Sequence, residues 1–276
     1  LTGFGEFGFS KEYPHNIHFG VREHAMGAIA NGLALHSRFR PYTATFLVFS
    51  DYMRASIRLA AIMKTRVIFI FTHDSVMVGE DGPTHEPVEQ VMSLRLIPGL
   101  TVLRPADANE TAAAWKSAFE RNGPVALILT RQAVPTLDLA KYPISQGFSK
   151  GAYILAEAKS GKPDIVLVGT GSEVHLVLAA REELEKKGVS ARVVSMPSWE
   201  LFEDQGDHYR RLIFTEGVPV LAVEAGVTAG WYKYVGDKGA VIGLDRFGES
   251  APGKTVYEKL GFTVENVVRR ALALLG

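Results

Sequence analysis

The segment from Phe71 to Pro87, FTHDSVMVGEDGPTHEP, gathers the side chains of this sequence best suited to binding or acting on a small polar molecule. His73, Asp81 and His85 are spaced too widely to share one helix face, but one folded loop can turn all of them toward a single ligand. Gly79, Gly82 and Pro83 supply the backbone breaks for such a fold. Imidazoles and carboxylates so gathered can hydrogen-bond hydroxyl groups and exchange protons. An ordinary polar surface loop has the same composition, so the segment alone leaves both readings open.

Patterning names the elements that must hold this loop. RVIFIF, from Arg66 to Phe71, reads as a buried strand, which puts the loop at a strand's carboxyl end, where open α/β sheets carry their sites. Upstream, HFGVREHAMGAIANGLALH repeats Ala25, Gly27, Ala28, Ala30, Gly32 and Ala34 at helical spacing, predicting a helix packed closely against another backbone. Glu23 falls in its first turn, where the helix dipole by itself favours a carboxylate. Pro41 to Phe46 reads as a short strand. Phe46, Phe49 and Tyr52 then recur every three residues into a helix running to about Met63, a spacing that suits a core stripe as well as a cofactor wall.

Downstream, Val88–Leu94 reads as a short helix and Thr101–Leu103 as a strand. Asp107 and Glu110 make a capping box for a helix ending near Phe119. Pro124–Thr130 reads as a buried strand with Arg131 at its carboxyl end, a position for phosphate capture or for an ordinary surface charge. Residues 137–150 are polar, contain proline and lack a period; they read as a linker. Strand–helix alternation then resumes. Strands are expected at Asp164–Val168, Val189–Ser195, Val218–Val223 and Ala240–Gly243, with an amphipathic helix at Thr263–Leu275. The expected fold is α/β: two consecutive domains, residues 1–136 and 151–276, each a mostly parallel sheet flanked by helices. Gly169-Thr170-Gly171-Ser172 resembles a phosphate cradle, yet a tight turn capped by Ser172 explains it equally well.

The composition, 47% hydrophobic and 22% charged over 276 residues with zero formal net charge, is that of a globular chain without a nucleic-acid or membrane footprint. The absence of cysteine excludes disulfides, thiolate metal sites and a cysteine nucleophile, and fits a cytoplasmic setting. The opening, Leu1 to Pro14, reads as a glycine- and phenylalanine-rich loop.

Taken together, GVREHAMGAIANGLALH, TFLVFSDYMRASIRLAA, GEDGPTHEPVEQ continuing into IPGLTVLRPADANET, ILTRQ, and LDRFGESAPGKTVYEKLGFT resemble transketolase, the thiamine-diphosphate enzyme, over nearly the whole chain. The resemblance implies a pyrimidine-binding domain followed by the family's C-terminal domain. It implies that Glu23 binds the pyrimidine ring nitrogen and favours the imino tautomer that deprotonates the thiazolium carbon. It implies that Phe46, Phe49 and Tyr52 enclose the ring. His85, in a catalytic role, and Asp81 would contact sugar hydroxyls near the reacting carbons. His73 and Arg131 would hold the sugar phosphate. The implied partners are sugar phosphates and a second copy in a dimer, with active sites at the interface.

Two departures accompany the resemblance. The family's diphosphate and Mg²⁺ site uses a GDG…N motif in an amino-terminal domain; Gly79-Glu80-Asp81-Gly82 belongs instead to the substrate loop, so no metal ligand is assigned here. The match also begins inside the pyrimidine domain, and the chain opens on Leu1, which is the expectation for part of a longer protein, inactive without its diphosphate-binding partner. A β subunit of a 2-oxo acid dehydrogenase, or an enzyme like deoxyxylulose-phosphate synthase, is the alternative.

Overall fold

Two sheets carry the chain, described from residue 15 to residue 276 in a computed structural model. The Leu1–Pro14 loop and the start of the 1–136 segment lie outside the described residues. In the first sheet β1 (Tyr42–Phe46), β2 (Ile68–Thr72), β3 (Thr101–Leu103) and β4 (Val125–Ile128) run parallel in the order β1-β2-β4-β3. The inner strands IFIF and VALI are buried on both faces, which is why they read as continuous apolar runs. Helices α1 (Glu23–His36), α2 (Ser50–Met63) and α3 (Gln90–Arg95) cover one face. α4 (Ala108–Glu120) lies on the other, with Phe148 and Leu201 of the later chain.

In the second sheet β5 (Tyr153–Ala156), β6 (Ile165–Gly169), β7 (Ala191–Ser195), β8 (Val220–Val223) and β9 (Ala240–Ile242) take the order β5-β7-β6-β8-β9. All are parallel except β5, which runs antiparallel to β7 at the edge and was not legible in the sequence. Helix α5 (Ile144–Gly147) precedes it. α6 (Glu173–Lys186), α10 (Gly253–Lys259) and α11 (Val264–Leu275) pack in one core cluster. α7 (Trp199–Glu203), α8 (Asp207–Ile213) and α9 (Tyr232–Val235) pack in another. The fold class is the expected one.

Several local expectations changed. Residues 137–150 are not a bare tether: Leu137, Ile144 and Phe148 are buried, so the connection is anchored by apolar contacts. Of the two glycines in α1, Gly27 serves the close helix approach, since a Cβ there would stand 2.8 Å from Ser56 Cβ, while Gly32 faces open space. The phosphate-cradle reading of the 169–172 turn fails on volume, because a Cβ on Gly171 would meet the Arg104 guanidinium at 2.8 Å. Ser172 does not cap by its side chain; its hydroxyl donates to Glu173 at 2.9 Å.

The Arg104 guanidinium that fills this turn joins the two domains. It donates to Asp74 (2.7 and 3.1 Å) and to Glu173 (2.5 Å), and stands 3.4 Å from Glu224. Arg95 grips Glu224 through both carboxyl oxygens, at 2.7 and 3.0 Å. Burial opposes ionisation of Glu224, but Arg95 and Arg104 outweigh it and hold the carboxyl below its ordinary range.

Candidate active site

Parallel pairing brings the ends of three strands to one edge of the first sheet. Phe46 pairs with Thr72, and Phe71 with Ile128, so His73 and the Leu129–Arg131 exit lie side by side. His73 leaves β2 with φ +63°, a left-handed conformation uncommon for a residue with a Cβ. That turn lays its imidazole on the Phe46 ring, centroids 3.6 Å apart and planes 20° apart. Burial first, then the charge of Arg131, lowers the His73 pKa against the opposite pull of Asp81 and Asp74. The neutral ring is therefore favoured, while Arg131 remains exposed with its charge.

The aromatic row continues outward. Phe46 stacks with Phe49 (6.0 Å, planes 9° apart), and Phe49 with Tyr52 (5.9 Å, 21°). Their period of three sets them on the site side of the 47–52 turn, and Tyr52 is 65% exposed. The core stripe of α2 is instead Met53, Ile57 and Ala60. Gln90 ties this helix to the loop's exit by donating to Asp51 at 3.0 Å and accepting from the Val88 amide at 3.0 Å.

The loop folds back through glycines with φ +84° at Gly79 and +72° at Gly82. The Gly82 carbonyl accepts from the amides of His85 and Glu86, at 3.0 and 3.1 Å. His85 thereby meets Phe49 edge-on, centroids 5.7 Å apart. The structure thus brings His73, His85, Phe46, Phe49 and Tyr52 into one group, with Asp81 and Arg131 exposed beside His73.

Glu23 stands apart from this group. It is half-buried at the start of α1, and its carboxylate makes no hydrogen bond or ion pair among the described residues. The helix is seated on α2 by its neighbours: Ser56 Oγ lies 2.9 Å from both His24 Nδ1 and the His24 carbonyl. A partnerless carboxylate and an uncovered row of near-parallel rings fit a flat heterocycle with ring nitrogens. Among the described residues no three His, Cys, Asp or Glu side chains are grouped to hold a metal ion, and no helix is long and apolar enough to cross a membrane.

Sequence reasoning missed the residues that orient the histidines. Thr72 Oγ1 lies 2.9 Å from His73 Nδ1, and Thr84 Oγ1 lies 2.9 Å from His85 Nδ1. The signal was present, since each histidine directly follows a threonine. Asp74, buried against Arg104, left no such signal.

Comparison with known proteins shows the family. Residues 3–136 match the transketolase pyrimidine-binding domain, and residues 151–263 the transketolase-like C-terminal domain. The transketolase of Aquifex aeolicus is 53% identical over 274 residues, covering 99% of this chain and 40% of that protein. That of Halalkalibacterium halodurans is 55% identical over 275 residues, covering 98% and 41%. Among solved structures, transketolase from Leishmania mexicana superposes with a TM-score of 0.92 at 44% identity, over 99% of this chain and 39% of that one. A chain described as a split-gene transketolase, inactive beta4 tetramer, superposes with a TM-score of 0.80 at 26% identity, over 97% and 87%. This chain spans about two fifths of the length of the curated relatives it matches.

Proposed function

Because the chain belongs to the transketolase family, we propose that it forms the pyrimidine-binding side of an enzyme that moves a two-carbon ketol unit from a ketose phosphate to an aldose phosphate. We assign residues 1–136 to the pyrimidine-binding domain, 137–150 to the linker and 151–276 to the C-terminal domain. The observation that carries the reading is the stacked row Phe46, Phe49 and Tyr52, flanked by His73 and His85. An uncovered row of this kind fits the pyrimidine half of thiamine diphosphate. When bound, that cofactor supplies the acidic ring carbon that takes up and releases the two-carbon unit. Its diphosphate and Mg²⁺ would be held by another domain, in the same polypeptide or a second subunit.

The chain's own residues have separable tasks. Glu23 would hydrogen-bond the pyrimidine ring nitrogen and hold a proton against it. Phe46, Phe49 and Tyr52 exclude water from the ring. His85 and Asp81 hydrogen-bond the sugar hydroxyls near the reacting carbons. Arg131 carries a full positive charge to the sugar phosphate, and the His73 imidazole adds a directional donor beside it. Val21, Ile29, Leu33, Leu35 and Phe39, all exposed along and beside α1, support burial of this surface against another domain or a second copy in a dimer. By itself the chain does not turn over. A cytoplasmic setting fits such an enzyme.

The test is ketol transfer by the full-length protein or reconstituted complex, supplied with thiamine diphosphate and Mg²⁺. Transfer between a ketose phosphate and an aldose phosphate is expected. Pyruvate decarboxylation without transfer would reverse the assignment in favour of a 2-oxo acid dehydrogenase β subunit. The relatives named above are transketolases and do not favour that alternative.

A further inference from the structure

The loop that carries Asp81 and His85 does not lie free on the first domain. The connection from β9 to α10, DRFGESAPG, runs along it from the second domain. Ser250 Oγ donates to the Glu80 carbonyl at 2.7 Å. A Cβ at Gly79 would stand 2.7 Å from the Gly253 amide nitrogen, and one at Gly253 would stand 2.5 Å from the Met77 carbonyl oxygen. Two backbones so close leave no slack for the loop to shift.

At the centre of this seam is Glu86, next to His85 and only 2% exposed. Neither carboxyl oxygen has a hydrogen-bond partner of normal geometry. The Gly79 and Glu249 amides face it only loosely, and a buried carboxyl so weakly partnered is costly, so its presence needs an explanation. Space supplies one. The carboxyl lies against the bare Cα of Gly248, where an added Cβ would overlap Oε2 outright and stand 2.8 Å from Cδ. Gly248 is not among the glycines with positive φ, so no left-handed conformation explains it. The missing side chain is what admits the carboxyl.

We infer that Glu86 is a positioning residue, seated in the notch at Gly248, through which the C-terminal domain fixes the substrate loop and with it His85 and Asp81. This rests on the sugar-contacting roles proposed above for those two residues. It gives the second domain a task in shaping the active site. Filling the notch should displace the loop, and removing the carboxyl should make room for the filling.

The experiment compares wild type, Gly248→Ala, Glu86→Ala, Glu86→Gln and the Gly248→Ala/Glu86→Ala double variant in the full-length holoenzyme. Two readouts are taken: KM and kcat for the aldose phosphate, and amide hydrogen exchange over residues 79–86. Gly248→Ala should raise KM about tenfold or more, with a smaller change in kcat, and speed exchange in the loop. The double variant should recover most of both effects, and Glu86→Gln should behave as wild type. A double variant no better than Gly248→Ala, or a Gly248→Ala loop with wild-type exchange, overturns the inference. If Gly248→Ala does not fold, the carboxyl pair decides: Glu86→Ala must loosen the loop and Glu86→Gln must not. An inactive wild type would overturn the proposed function alone, since hydrogen exchange still reads the seam.

Discussion

The His73 imidazole lies flat on the Phe46 ring, centroids 3.6 Å apart, and this contact joins the polar loop to the aromatic wall. It also sets the charge of the histidine, because the ring is buried before Arg131 adds its repulsion. Phe46→Ala should let the His73 pKa rise toward its ordinary 6.5. An NMR titration of the imidazole in the two proteins checks this. An unchanged midpoint would mean that Arg131 alone sets the shift.

Glu23 offers a cleaner separation of function from stability. It is half-buried and partnerless, so Glu23→Gln should change stability by no more than about 0.5 kcal/mol. In the loaded full-length enzyme the same change should lower kcat by about a hundredfold or more, as expected for loss of a proton-holding group. Thermal melts and steady-state kinetics on one preparation decide it. Near-normal turnover would remove Glu23 from the proposed chemistry.

Arg104 should behave in the opposite way. Its guanidinium is fully buried among Asp74, Glu173 and Glu224. Arg104→Met leaves three buried carboxylates short of a partner, although Arg95 still serves Glu224. A loss of about 3–5 kcal/mol is expected in denaturant melts. A loss below about 1 kcal/mol would mean that the carboxylates are neutralised by protonation or reached by water.

Glu86 should impose its own pH dependence on stability. Burial, aided by the Glu249 charge and partly offset by the Gly79 and Glu249 amides, raises its pKa to about 7. Glu249 is in turn paired with Arg246 and Lys259, which temper its repulsion of the Glu86 carboxyl. A carboxyl raised from 4.5 holds its proton more tightly folded than unfolded. Its stabilising contribution is complete below the unfolded value, is lost as pH rises through about 7, and stays lost above that. Urea melts between about pH 5 and about pH 8 should show wild type losing more stability than Glu86→Gln. Parallel curves would show that the carboxyl does not titrate in this window.

The sequence by itself determined the buried strands, because IFIF and VALI lie in short apolar runs bounded by polar or turn residues, too short for a buried helix and apolar on both faces. It determined the polar loop, through the glycines whose positive φ turns it back, and the family, through motifs spread over nearly the whole chain. Only the tertiary structure decided which way ambiguous patterns fell. A period of three at Phe46, Phe49 and Tyr52 suits core and wall alike, and Met53, Ile57 and Ala60 had to claim the core before the rings were left outside. The 169–172 turn reads as a phosphate cradle until Arg104, far away in sequence, fills it. Gly248 reads as one more loop glycine until Glu86 is set against it. Local pattern reports the few neighbours within a turn or a strand. Volume and charge are settled between residues that only the folded chain brings together.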